Sequence, residues 1–227
     1  PSELAGLRVG LLTDVHHSRM VPAADVSAAV AALQAEHPDL IVLGGDYVTF
    51  GDRDYIGPVA ELLSPLAAPH GVFAILGNHD DDRAVPQALA ANRIQVLRDA
   101  RTRVEIRGRG LSLAGIRFWT RKPGEIARVI GRPQETTLLL AHDPRRLVEA
   151  AALDVPAVLS GHTHGGQVVL PGVGALARRQ FPVLSGLGQR EGTSIFVSRG
   201  VGTVYVPIRI NCPPEVALIS LQPAGLG

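Results

Sequence analysis

The sequence predicts an α/β fold, and three observations predict it. Short apolar runs alternate with helical patterns along most of the chain. A middle stretch instead carries closely spaced strand-like runs with glycine turns. The polar breaks in the apolar pattern fall directly after strands, the arrangement by which open α/β sheets build their sites.

In chain order, residues 7–12 (Leu-Arg-Val-Gly-Leu-Leu) read as a buried strand, alanine-rich 23–33 as a helix and 40–43 as the next strand. Residues 55–66 are helical and end before Pro69; 72–76 form a third strand and 84–91 a helix. The runs 94–96, 102–106 and 111–116 predict hairpins in a second sheet. A short helix over 125–130, a buried strand over 137–141, a helix over 145–152 and a strand over 157–159 follow. Three more strands are expected at 167–170, 194–198 and 216–221. A long Gly- and Arg-rich loop is expected over 171–192, and loops of that length are often functional.

The 227 residues suffice for one sizeable core, and 46% hydrophobic with 19% charged residues is a globular composition. With neither repeat nor linker, one domain over 1–227 is expected. A net charge of +1 gives no nucleic-acid footprint. Arg98, Arg101, Arg103, Arg107 and Arg109, and later Arg178, Arg179 and Arg190, read as a solvated basic face. The single Cys212, flanked by Asn211 and Pro213, excludes an internal disulfide framework and reads as structural. No apolar stretch is long enough to cross a membrane. The chain opens on Pro1-Ser2, without methionine, directly before the first strand. That predicts a removed upstream signal or anchor, and with it a membrane-associated or cytoplasmic-face location.

Five polar clusters sit at strand ends: Thr13-Asp14-Val15-His16, Gly44-Gly45-Asp46, Gly77-Asn78-His79-Asp80, His142-Asp143, and Gly161-His162-Thr163-His164-Gly165-Gly166. Of eight histidines, five belong to these clusters and His17 adjoins one; only His37 and His70 lie elsewhere, each beside a proline. Singly these signals are weak, since D-x-H is frequent by chance and G-N-H-D also suits a tight turn. Together they place on one sheet edge carboxylates and imidazoles that tolerate burial poorly without a partner. Asp14 and His16, at i and i+2 on an extended segment, would point the same way and grip one metal; the same spacing lets His162 and His164 converge. Mixed N and O donors suit Mn, Fe, Zn or Co.

In order and type, these clusters resemble the calcineurin-like metallophosphoesterases, whose pattern runs D-x-H, G-D, G-N-H-[DE], a lone histidine and G-H-x-H. Gln167 and the tail Ser198-Arg199-Gly200-Val201-Gly202-Thr203 to Asn211-Cys212-Pro213-Pro214-Glu215 are similar to one bacterial branch. That branch contains YkuE-type membrane-linked phosphodiesterases and the UDP-2,3-diacylglucosamine pyrophosphatase of lipid A synthesis.

The resemblance implies a four-layer α-β-β-α sandwich and a dinuclear metal centre, manganese or an iron–manganese pair. It implies metal ligation by Asp14, His16 and His164 at one ion, by Asn78, His142 and His162 at the other, and by Asp46 between them. The implied reaction is phosphodiester or pyrophosphate hydrolysis by a bridging hydroxide, with a diacylglucosamine-type lipid substrate or a phosphomonoester as alternatives. His79 is then expected to assist the leaving group, with Asp80 orienting its imidazole. Expected partners are a phosphate-ester substrate and a lipid surface, with no nucleic acid. One departure from the pattern is visible: Asp81 and Asp82 follow the G-N-H-D block, where relatives often carry an aromatic or another histidine. An amidohydrolase reading is set aside because that class places H-x-H on its first strand, whereas here it comes late. A non-catalytic module on the same fold is opposed by the complete ligand set.

Overall fold

The computed structural model describes residues 2–131, 136–172, 174–175 and 179–223. The first half is a run of strand–helix units: β1 (Arg8–Leu12), α1 (Ala23–Ala35), β2 (Leu40–Leu43), α2 (Ile56–Leu63), β3 (Val72–Ala74), α3 (Ala84–Ala91) and β4 (Gln95–Val96). Each helical crossover returns the chain to the same end, so β1 to β4 pair in parallel. The second half comprises β5 (Ala100–Ile106), β6 (Arg109–Ile116), α4 (Pro123–Ile130), β7 (Thr136–Ala141), α5 (Leu147–Ala152) and β8 (Ala157–Ser160). It continues with β9 (Val169–Leu170), β10 (Gly174–Ala175), β11 (Gly186–Arg190), β12 (Thr193–Val197) and β13 (Ala217–Ser220).

The strands form a five-stranded sheet, β13-β1-β2-β3-β4, a six-stranded sheet, β11-β12-β8-β7-β6-β5, and the small pair β10-β9. In the larger sheet β6, β7, β8 and β12 run parallel, with antiparallel β5 and β11 at its edges. In the first sheet β13 pairs antiparallel with β1.

Side chains alternate across a strand, so each strand supplies two cores. Val9, Leu11, Leu40 and Val42 meet Leu111, Leu113, Leu138 and Leu140 between the sheets. Leu12, Ile41 and Leu43 pack instead on Val26, Val30 and Leu33 of α1 and on Val59 and Leu63 of α2. On the far side, Ala114, Ile116, Leu139 and Val158 pack on Ile126 and Ile130 of α4 and Leu147 of α5. Burial on both faces explains why the strand sequences read as unbroken apolar runs. Three cores between four layers give the expected α-β-β-α sandwich.

Some expectations change. Of the expected run 94–96, Gln95–Val96 form a strand not in the second sheet but as β4 of the first, because α3 intervenes between β3 and β4 and so dictates a parallel pairing. The 171–192 loop contains β10 and, at its end, β11. That segment has two glycines and low strand propensity, and it is a strand because it lines the edge of β12. The helix over 55–66 is shorter, with a 3-10 turn at Arg53–Tyr55 before it. The described arginines of the expected basic face are solvent-exposed, although Arg101 donates to the Ile130 carbonyl (2.8 Å), Arg107 to that of Ala5 (3.0 Å), and Arg190 pairs with Glu191 (3.2 Å). Arg178 lies outside the described residues. Among those described, no helix is long and apolar enough to cross a membrane.

Candidate metal centre

Asp14 and His16 follow β1, Asp46 follows β2, and Asn78, His79 and Asp80 follow β3. His142 follows β7, while His162 and His164 follow β8. The carboxyl ends of the two sheets meet, and all these side chains come together where they do. His16 Nε2 lies 3.1 Å from His164 Nε2, across the seam between sheets. One donor atom each from Asp14, His16 and His164 lies within 4.8 Å of the others, and the same holds for Asp46, His142 and His162. Each group therefore takes donors from both sheets.

The Asp46 carboxylate stands between the groups, its Oδ2 lying 3.1 Å from His142 Nε2 and 3.5 Å from His16 Nε2. Asn78 Oδ1 is buried and makes no hydrogen bond. Such an atom costs free energy unless an unseen partner satisfies it, and an amide oxygen is a good metal donor. The residues therefore fit a pair of divalent ions.

Asp14 and His16 lie in one donor group, but not for the reason their spacing suggests. Asp14 and His16 are not on extended backbone; both adopt the left-handed region, at φ 53° and 49°. Asp46 (56°), His162 (72°) and His164 (51°) do the same. These conformations are unfavourable for such residues and persist where surrounding structure over-determines them, commonly at functional sites. Part of that determination is steric: a Cβ on Gly77 would meet the Asp46 carboxylate, and Gly45, at φ 97°, lies against the Gly77 backbone. A residue larger than glycine at 77 thus displaces the Asp46 carboxylate.

Further contacts orient the donors. Asp14 accepts from the His162 amide (2.9 Å) and the Thr13 hydroxyl (2.9 Å). Asp46 accepts from the His79 amide (2.8 Å). His142 Nδ1 donates to the Gly44 carbonyl (2.7 Å), which turns Nε2 toward the centre. His16 Nδ1 lies 3.2 Å from the Thr49 hydroxyl.

Burial pushes His16 down to about 3, and burial with nearby His142 pushes His162 to about 4; burial lowers His164 as well. All three therefore offer a lone pair at neutral pH. Burial also opposes the charged form of His142, but the Asp46 carboxylate outweighs it and, with Asp14 and the Gly44 carbonyl, holds His142 up to about 10. A metal taking its Nε2 displaces that proton at any lower pH, so affinity should rise with pH over 6–9. Calorimetric metal titration at pH 7 in buffers of different ionisation enthalpy is expected to show release of about one proton per chain from this site. Zero release would mean that the imidazole is already neutral.

His79 belongs to neither group. Its Nδ1 accepts the Phe50 amide (3.0 Å), so in the neutral ring the proton sits on Nε2. Its ring lies edge-on to His16, with centroids 4.9 Å apart. Asp80 does not orient it. Its carboxylate accepts instead from the amides of Asp46, Tyr47 and Gly77, each at 2.8 Å, because three backbone donors converge there. Asp80 thereby clamps the turn that presents Asp46. Burial and the Asp46 carboxylate raise its own pKa, to about 7.

Sequence reading missed Arg209. Its guanidinium donates to the carbonyls of Arg199 (2.8 Å), Gly200 (3.1 Å), Gly202 (2.6 Å), His164 (3.2 Å) and Cys212 (3.3 Å). It also lies 3.4 Å from His164 Nδ1. The loop it holds packs on Asp14, where a Cβ on Gly200 would lie 3.0 Å from Oδ2. The tail motif resembling one branch is thus the backing of the Asp14–His164 group, and buried Cys212 is part of it, its thiol meeting the His164 carbonyl (3.1 Å). Arg209 lies inside that tail, and its position there was the available signal.

The family model described as calcineurin-like phosphoesterase matches residues 7–166. Phosphodiesterase YaeI of Escherichia coli (strain K12) is 34% identical over 233 residues, covering 96% of this chain and 83% of its own length. The uncharacterized metallophosphoesterase YkuE of Bacillus subtilis (strain 168) is 28% identical over 232 residues, covering 98% and 81%. Among solved structures, the Haemophilus influenzae NAD nucleotidase NadN aligns with a TM-score of 0.59 at 16% identity, over 86% of this chain and 50% of its own. The sulfate thiohydrolase SoxB of Thermus thermophilus aligns with a TM-score of 0.56 at 12% identity, over 85% and 51%. At such identities the likeness to these two is one of fold, and this chain spans about half the length of either.

Proposed function

From the fact that this chain belongs to the calcineurin-like phosphoesterase family, we propose that it hydrolyses phosphodiester or pyrophosphate bonds at a centre of two divalent ions. Asp14, His16 and His164 hold one ion, Asn78, His142 and His162 the other, and Asp46 lies between. The observation that carries this is the pair of donor groups, each within 4.8 Å, together with the buried Asn78 Oδ1 that makes no hydrogen bond. When bound, such a pair of ions activates water and neutralises phosphoryl charge; the donor set suits Mn best by resemblance, with Fe, Zn or Co also accepted.

The chain's own residues supply the rest. His79 carries its proton on Nε2 in the neutral ring, and that ring stands beside His16, so it protonates or stabilises the departing oxygen. Asp80 acts through Asp46, as a positioning residue. A diester is favoured over a monoester on two supports. One relative bears the name phosphodiesterase. The guanidinium that reaches the ligand set, Arg209, spends its donors on backbone carbonyls and offers little to a dianion. Asp81, which follows the G-N-H-D block, does not bear on this preference, since it pairs with Arg53 (2.9 Å) and accepts the Ala84 amide (2.8 Å) at the start of α3.

The test is metal stripping and reloading. Chelated protein is expected to lose hydrolysis of bis-p-nitrophenyl phosphate and to melt lower, because an ion that binds only the folded state stabilises it by mass action. Manganese should restore both. With the same metal, kcat/KM for the diester should exceed that for p-nitrophenyl phosphate. A tenfold preference for the monoester, about 1.4 kcal/mol in the barrier, would reverse the assignment of substrate type. Unchanged activity after complete stripping would remove the metal from the reaction.

A further inference from the structure

Two aromatic side chains outside the ligand set meet His79. The Phe50 ring centroid is 4.8 Å from that of His79 and the Tyr205 centroid 6.5 Å, and the two rings lie 5.8 Å apart at 54°. Both are largely in solvent, Phe50 69% and Tyr205 73% exposed. Single exposed apolar residues are ordinary. These two differ in backbone: Phe50 has φ 51° and Tyr205 φ 64°, a region that bulky L residues occupy only when held there.

Each is held by the site. The Phe50 amide donates to His79 Nδ1 (3.0 Å), and the next amide, of Gly51, donates to the His79 carbonyl (2.7 Å). Tyr205 is held through its neighbours by Gln167, which follows the His162–His164 segment. The Gln167 side chain donates to the carbonyls of Val204 (3.1 Å) and Val206 (3.0 Å) and accepts the Val204 amide (3.0 Å). Two segments distant in sequence are thus fastened to the centre so that each projects one aromatic ring beside the proposed proton donor. Core packing does not account for rings so exposed.

We propose that Phe50 and Tyr205 form a recognition wall for a planar aromatic group, an aryl or nucleobase, carried on the scissile phosphate ester next to His79. The wall rests on the phosphoesterase reading above and names the kind of substrate. The two rings are inclined, so a flat group lies against their faces rather than between parallel plates, a geometry that aromatic pairs favour. Neither ring bears a charge, so selection is by shape and π-surface and tolerates different bases or aryl groups.

The experiment uses two non-hydrolysable monoanions that mimic a diester and share ring size, methyl(phenyl)phosphinate and cyclohexyl(methyl)phosphinate, titrated calorimetrically into the manganese-loaded protein. The phenyl compound is expected to bind roughly tenfold tighter, the scale of one aromatic stacking contact. The double variant Phe50→Leu, Tyr205→Leu keeps apolar bulk and should bind both alike, with metal content unchanged. The wild-type ratio requires no variant to fold. Equal binding there overturns the wall, and a tighter cyclohexyl compound overturns it in favour of an aliphatic or lipid arm. A preference that survives the double substitution overturns its assignment to these rings. Failure of the metal-loaded protein to bind either phosphinate overturns the phosphodiester reading itself.

Discussion

Asp46→Asn is expected to empty both ion positions together, leaving well under the two metals per chain of a filled dinuclear site and lowering turnover by at least on the order of 10²-fold. The reason lies in the two oxygens. Oδ1 is engaged by the His79 amide, while Oδ2 lies within 3.5 Å of both His142 and His16. An asparagine retains the first bond and turns an NH₂ donor toward the imidazoles where an ion needs an acceptor. A substitution confined to one group, such as His162→Ala, should instead leave the other ion in place. Elemental analysis after dialysis distinguishes the two. Loss of a single metal from the Asp46 variant would mean that this carboxylate serves one ion only.

His79→Ala is expected to retain both metals and lose about 10²- to 10⁴-fold in kcat, the usual worth of a positioned proton donor. Its imidazole is absent from both donor groups, and its Nδ1 is occupied by a backbone amide. The loss should shrink for substrates whose leaving group needs no proton, such as p-nitrophenolate, relative to those with an alkoxide leaving group. Metal content of the variant decides the role: a missing ion identifies His79 as a ligand.

The residues at the centre were legible because the chemistry admits few substitutes. Asp, Asn and His in a fixed order at strand ends state their purpose without a structure. The layered architecture was legible for a related reason, since strands covered on both faces must be apolar throughout. What stayed hidden depends on partners distant in sequence. Residues Gln95–Val96 carry no mark of the sheet they join, and Gly186–Arg190 becomes a strand through β12 alone. Asp14 and His16 adopt the left-handed region, and Gly200 and Gly202 pack closely on Asp14 and Val15, an approach the local sequence does not encode. Asp80 was assigned to the adjacent histidine because adjacency was the available guide. In space, the converging amides of Asp46, Tyr47 and Gly77 were the stronger competitor.

The seam between the sheets has a mechanical meaning. Asp14, His16 and Asp46 arrive from one sheet and His142, His162 and His164 from the other, and each donor group is drawn from both. An ion in either group is therefore a rivet through two plates, and it closes only when the plates are already seated on the shared core of Leu11, Val42, Leu138 and Leu140. Neither half of the chain assembles a full set of jaws by itself. Tight metal retention is in this sense a gauge of correct assembly: a chain whose halves fail to dock has no centre with which to act on a phosphate ester.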